Sequence, residues 1–287
     1  MFAIHRPLGL RCFRDTISRS YLPRTRLYTI LSSSTRLNRS KKVPSLGSGV
    51  PGLSQEGLAA ERFLSHLEST YDALTLSHPT LWLCVAAIAF SGLNHPEAVP
   101  WIYQHAVQKE NMDQRLMARK MKDALFKASV LFGIPKALNG MAALQEVLPP
   151  ELQDEKPLRK NPTSPANLAA LHKAGQAFFS QLYGEITPTE QPFLVDSYPD
   201  LGGPFYMTTI IYGYVYSFTD YLDAAETSLC IVAALIASGS PKRQYDNHVA
   251  GALRNKASRS ELEAVQQVVS AVVHRCTSAR KAPIERY

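Results

Sequence analysis

The sequence predicts an all-α protein, and three observations point there. Two apolar runs, 81–90 and 229–237, are long enough for buried helices but fall short of the roughly 18 residues a membrane span needs. Most of the remaining chain after residue 54 carries apolar side chains at helical spacing. Proline, glycine and serine cluster at the joints between those stretches.

In chain order, residues 1–42 hold ten Lys and Arg, eight of them Arg, against the single acid Asp15, with many Ser and Thr and scattered apolar residues. That composition reads as a mitochondrial transit peptide, with cleavage expected just after Tyr28 and delivery to the matrix. The whole chain is formally +7; without this segment it has 21 basic and 23 acidic residues, net −2. The basic charge belongs to the leader, and the remainder gives no electrostatic reason to expect nucleic acid as a partner. Residues 43–54, VPSLGSGVPGLS, read as a linker.

Leu58, Phe63, Leu67, Tyr71 and Leu74 predict a helix over 57–75. The buried run 79–90 follows, then the turn SGLNHP and a helix around 97–108. Leu116, Met121, Leu125, Ala128 and Leu131 predict an amphipathic helix from Gln114 to Phe132, ended by Gly133, and Pro135 opens the next, 135–147. The polar, proline-bearing stretch 149–165 reads as an internal boundary. Beyond it come a helix over 165–183, a loop containing PTEQP and YPDLGGP, and the aromatic stretch FYMTTIIYGYVYSFTDYL. Leu229 to Ala237 predict a helix buried on all sides, with Gly239 and Pro241 as stops. In the following helix Ser240 can cap and Pro241 fits the first position; a last helix runs from Ser260 to about Cys276.

The two halves resemble each other. Cys84 aligned on Cys230 superposes two apolar helices, and His105 follows the first cysteine much as His248 follows the second. We read two degenerate copies, 55–148 and 166–287. Thr80 takes the place of Glu226 in the first, so the first reads as scaffold and the second as the site.

Glu226 and His248 are the candidate catalytic residues, because two antiparallel helices joined by a short turn would bring a carboxylate toward an imidazole, an acid/base unit. Asp223 three places before Glu226 also fits a capping box, in which the glutamate only satisfies a helix start. Tyr212, Tyr216 and Tyr245 are candidate substrate-binding residues; buried tyrosines of this kind also serve as core. The four cysteines and the scattered histidines give neither a disulfide framework nor a zinc spacing, and no metal is expected. No peroxisomal or retention signal ends the chain.

The run from Glu226 through GSP, NHVAGALRN and SRSELEAVQQVV, together with LFGIPKALNGMAALQEV at 131–147, resembles the carboxymuconolactone decarboxylase and alkylhydroperoxidase D-like superfamily, over about Pro79 to His274. The resemblance implies an alkylhydroperoxidase D-like helical fold, homo-oligomers and, by its decarboxylase branch, a decarboxylase or lyase acting on a small organic acid; no cofactor is expected. It also places Glu226 and His248 at the family's acidic and histidine positions. The peroxidase branch carries C-x-x-C where this chain has Ser238-Gly239-Ser240-Pro241, so dithiol peroxidase activity is not expected. Two alternatives stand beside the enzyme: a non-catalytic structural or interaction subunit, and a thiol antioxidant using Cys84 and Cys230.

Overall fold

A computed structural model describes residues 55–279 apart from 76, 110, 160 and 161. The expected transit peptide, the linker 43–54 and the tail 280–287 lie outside the described residues. The chain is all-α, with no strand among the described residues. The helices are α1 Gln55–Asp72, α2 Leu81–Gly92, α3 Val99–Val107, α4 Gln114–Phe132, α5 Ile134–Val147, α6 Pro165–Tyr183, α7 Thr187–Ser197, the short α8 Pro199–Gly202, a π-helix Pro204–Tyr216, α9 Ala224–Ala237, α10 Lys242–Arg254 and α11 Arg259–Ala279.

The two apolar runs become the centre. Every residue of α2 is buried, and α9 is buried at nearly every position. With no polar face to turn outward, each helix is covered on all sides. They pack on each other, and both are covered by α4 and α11. The amphipathic α4 turns Met117, Met121, Leu125 and Ala128 inward, and α11 does the same with Val265, Val268, Val269 and Val272. Asp113 caps α4 by accepting from Leu116 N at 2.9 Å, and Gly133 ends it at φ 96°, a conformation that suits glycine.

Several local expectations are corrected. The loop expected to carry PTEQP and YPDLGGP contains α7 and α8, since Pro188 and Pro199 sit in the first turn of each, where a missing N–H is harmless. The helix expected around 97–108 starts as a 3₁₀ turn, Pro96–Ala98, before α3. Ser240 does not cap α10: its hydroxyl pairs with Ser238 Oγ at 2.8 Å, and Pro241 is itself the N-cap. Within the expected boundary stretch, Asp154 pairs with Arg119 of α4 at 2.6 Å and Arg159 with Asp123 at 2.5 Å, which leaves the boundary itself an expectation.

The aromatic stretch forms a π-helix of 13 residues, where such helices are commonly single turns. Two glycines let its backbone lie against α6. A Cβ on Gly175 would stand 1.9 Å from Thr208 O, and one on Gly213 would stand 2.3 Å from Leu171 O. Its last carbonyls are taken by cations: Arg159 donates from Nε to Tyr214 O at 2.9 Å and from Nη2 to Val215 O at 3.2 Å. Lys127, fully buried, donates to Phe218 O and to Thr227 Oγ1, both at 2.7 Å, and pairs with Asp123 at 3.0 Å. Beside it Phe178, Phe179, Tyr183, Tyr212 and Tyr216 build a separate aromatic core.

Gly175→Ala should destabilise the fold by about 1–3 kcal/mol, because backbone rather than a yielding side chain opposes the added methyl. Gly239→Ala, with open space at φ 64°, should lose only about 1 kcal/mol. Thermal or urea unfolding of the two variants checks the order.

Candidate functional site

Glu226 sits in the first turn of α9 and is buried. Asp223 Oδ1 accepts from Glu226 N at 2.8 Å, and Asp223 N donates to Glu226 Oε2 at 3.0 Å, so the capping box is complete. The other carboxylate oxygen, Oε1, accepts from Lys120 Nζ of α4. Both oxygens therefore have partners, and His248 is not one of them.

Helix register explains the separation. Asn255, just past α10, donates from Nδ2 to Ser228 Oγ near the start of α9 at 2.8 Å. The open end of the hairpin closes there. His248, seven residues before Asn255, lies about 10 Å further along at 1.5 Å per residue, toward the C-terminal end of α9. It is buried in the aromatic core, edge-on to Tyr183 with ring centroids 6.1 Å apart, and its Nδ1 has no hydrogen-bond partner among the described residues. Burial without a counter-charge lowers its pKa to about 4, so the ring is neutral at neutral pH.

The candidate tyrosines divide likewise. Tyr212 and Tyr216 are buried, and the hydroxyls of Tyr212 and Tyr183 lie 3.0 Å apart. Tyr245 is half-buried and its hydroxyl accepts from Gln266 Nε2 at 2.5 Å. All three sit in or against the aromatic core.

Both thiols are fully buried in the central helices, and burial holds them protonated: Cys84 is pushed up to about 12 and Cys230 is raised well above its ordinary value. Thiolate chemistry needs the opposite environment. In the first half, His105 stands between Glu61 at 2.8 Å and Glu68 at 3.3 Å and lies edge-on to Trp82, tying α3 to α1. Among the described residues no group of His, Cys, Asp and Glu is arranged to hold a metal ion.

The N-terminal end of α9 opens on a cleft of about 600 Å³, whose lining includes His78, Gln181, Asp223, Arg254, Asn255 and Lys256. The sequence reading passed over His78. Its Nδ1 lies 2.6 Å from Glu261 Oε1 and its Nε2 3.2 Å from Asp223 Oδ2. Glu261 is itself fixed by Ser258, whose N and Oγ donate to Oε2 at 2.7 and 2.9 Å. That Ser258-x-x-Glu261 box was legible in the sequence; its pairing with a histidine 183 residues away was not. Burial alone would lower the His78 pKa, but Glu261, Asp223 and Glu226 outweigh it and the net shift is upward. Burial opposes ionisation of Glu261 too, yet its bonds to Ser258 and His78 bring its pKa down. A second cavity of about 290 Å³, lined by Gln176, Phe179, Ser180 and Thr208 among others, offers amides and hydroxyls.

Residues 206–283 match the carboxymuconolactone decarboxylase family, so the chain carries a domain of that family in its second half. The match leaves out the first half, over which the sequence resemblance had extended. Peroxisomal protein 2 of Schizosaccharomyces pombe is 26% identical over 210 residues, covering 73% of this chain and 93% of that protein. Peroxisomal protein 2 of Saccharomyces cerevisiae is 24% identical over 271 residues, covering 74% and 95%. No solved structure matches. The names of these relatives overturn the expected mitochondrial location: dispersed arginines report a basic segment, and basic charge by itself is not an organelle address.

Two titrations follow from this geometry. The His78 pKa in NMR should lie above 6.5, and the stability gained from its pairing, fully present below about pH 6.5, should fade as pH rises through the folded value. His248 carries the opposite sign: stability should fall as pH drops from about 6.5 toward 4, because the unfolded chain takes up the proton first. Glu226→Gln should leave the His248 pKa unchanged; a marked fall would restore the Glu226–His248 pair.

Proposed function

We propose that this chain, which carries a carboxymuconolactone decarboxylase family domain at residues 206–283, is a peroxisomal protein that binds a small organic acid and acts on it as a decarboxylase or lyase. The peroxisomal assignment rests on the two relatives named for that organelle. The observation that carries the substrate class is the cleft at the start of α9, inside the matched segment. Lys256 is exposed there and forms no ion pair among the described residues. Arg254 lies beside it, donating to Leu182 O at 3.0 Å and pairing with Glu185 at 2.6 Å. The positive end of the α9 dipole faces the same space, so a carboxylate meets cations and helix N–H groups together. Within this reading Glu226 shapes the cleft floor through its capping box and its bond to Lys120. His248, neutral and packed against Tyr183 in the aromatic core, lies away from the cleft.

The other reading, a non-catalytic structural or interaction subunit, is favoured by one observation: both oxygens of Glu226 are engaged in holding the fold. Calorimetry on the full chain with a panel of small mono- and dicarboxylates separates the two. The acid-binding reading expects saturable binding that Lys256→Glu weakens about tenfold, equivalent to about 1.4 kcal/mol, and that added salt reduces. An absence of carboxylate binding would make the structural subunit the better account.

A further inference from the structure

An acid/base pair of the kind expected at Glu226 and His248 joins the two halves of the chain instead, His78 from the first and Glu261 from the second. His78 projects from the turn between α1 and α2 into the cleft at the start of α9. Glu261 of α11 holds one ring nitrogen at 2.6 Å, and Ser258 fixes that carboxylate in turn. Among the described residues the other nitrogen, Nε2, has only the longer 3.2 Å contact with Asp223, whose side chain is about half exposed. One nitrogen is thus anchored by a buried group and the other is available at the cleft. His78 also adopts φ 49°, uncommon for a residue with a side chain, and strain of this kind is retained where the surroundings hold a side chain in a required place.

We propose that His78 is the catalytic proton donor of this cleft, with Glu261 as its positioning residue. The assignment rests on the organic-acid reading of the cleft and specifies how that acid would be used. A substrate suited to the arrangement is an acid whose carboxylate stands β to a carbonyl. Arg254 and Lys256 receive its anionic and carbonyl oxygens. The bond from the α-carbon to the carboxyl carbon breaks, its electron pair passes into the carbonyl as an enolate, and carbon dioxide leaves. His78 Nε2–H then gives its proton to the enolate carbon, which regenerates the ketone; the neutral imidazole takes a new proton from water, and the hydroxide left combines with the carbon dioxide as bicarbonate. Charge and atoms balance with no oxidant or reductant. The groups that bear on the protonation of His78 are Glu261 of α11, Asp223 and Glu226 at the start of α9, and Arg254 and Lys256 across the cleft. Burial opposes the imidazolium, the three carboxylates favour it, and the net shift is upward.

The test compares the full-length protein with its His78→Asn variant, asparagine being tolerant of positive φ. Malonate binding is measured by calorimetry, and carbon dioxide release is followed from acetoacetate and oxaloacetate. The expected result is malonate affinity within about twofold in the two proteins and a loss of about 10²- to 10⁴-fold in turnover in the variant. The wild-type rate should fall as pH rises through the His78 pKa, and Glu261→Gln should move that fall to lower pH. Wild-type protein that binds no malonate removes the cleft reading itself. Malonate binding without turnover of either β-keto acid, or turnover that survives in His78→Asn, overturns the assignment of His78 and leaves the cleft standing. A measurement independent of folding in the variant is the ¹⁵N resonance of His78 Nε2 in the wild-type protein. It should shift on malonate saturation, and a stationary signal also overturns the assignment.

Discussion

The buried ion network of Asp123, Lys127 and Arg159 is the constraint on which the second half of the molecule depends. Charges without solvent are costly, several kcal/mol per ion, unless partners replace the lost water. Here they do. Asp123 of α4 meets Lys127 at 3.0 Å and Arg159 at 2.5 Å. The two cations also take carbonyls at and beyond the end of the π-helix, from Tyr214 to Phe218, and Lys127 reaches Thr227 in the first turns of α9. Arg159 lies over the Phe126 and Phe218 rings at 4.7 and 4.2 Å, so its flat faces are covered as well. Burial presses the Lys127 pKa downward, and Asp123 works against that shift.

What this network joins explains the position of the cleft. It pins the end of the π-helix and the start of α9 to α4, and Lys120, two turns before Lys127 on the same helix, completes the task by binding Glu226. Asp223 is thereby held at the mouth of the cleft, facing His78. Close contact between α6 and the π-helix, permitted by Gly175 and Gly213, fills the other side with aromatic rings and encloses His248 among them. The two histidines thus receive opposite environments: one is paired with carboxylates at an open cleft, the other is buried among aromatic rings without a counter-charge. Their pKa values move apart for that reason.

Much of the fold was legible in the residues. Unbroken apolar runs announced α2 and α9, and the spacing of Leu116, Met121 and Leu125 announced α4. The Asp223–Glu226 capping box and the serine–glutamate box before α11 could each be read from three residues' spacing. The π-helix could not, because its distinguishing feature is the close approach of α6 and the cations at its end. Nor could Lys120 and Lys127 be told from solvent-facing lysines on an amphipathic helix, since their burial depends on α9 and on the segment after residue 216.

By itself the sequence determined most of the long helices, which two are buried on all sides, and the capping box that opens α9, for these are interactions within one or two turns of the chain. It also determined that dithiol chemistry is impossible in the turn before α10. The tertiary structure alone decided which charges meet. The register closed by Asn255 and Ser228 carries His248 away from Glu226, and the packing of α11 beside the turn after α1 brings Glu261 to His78 across 183 residues. Capping is set by local backbone geometry, whereas a side-chain pair depends on how distant helices slide and rotate as they bury their apolar faces.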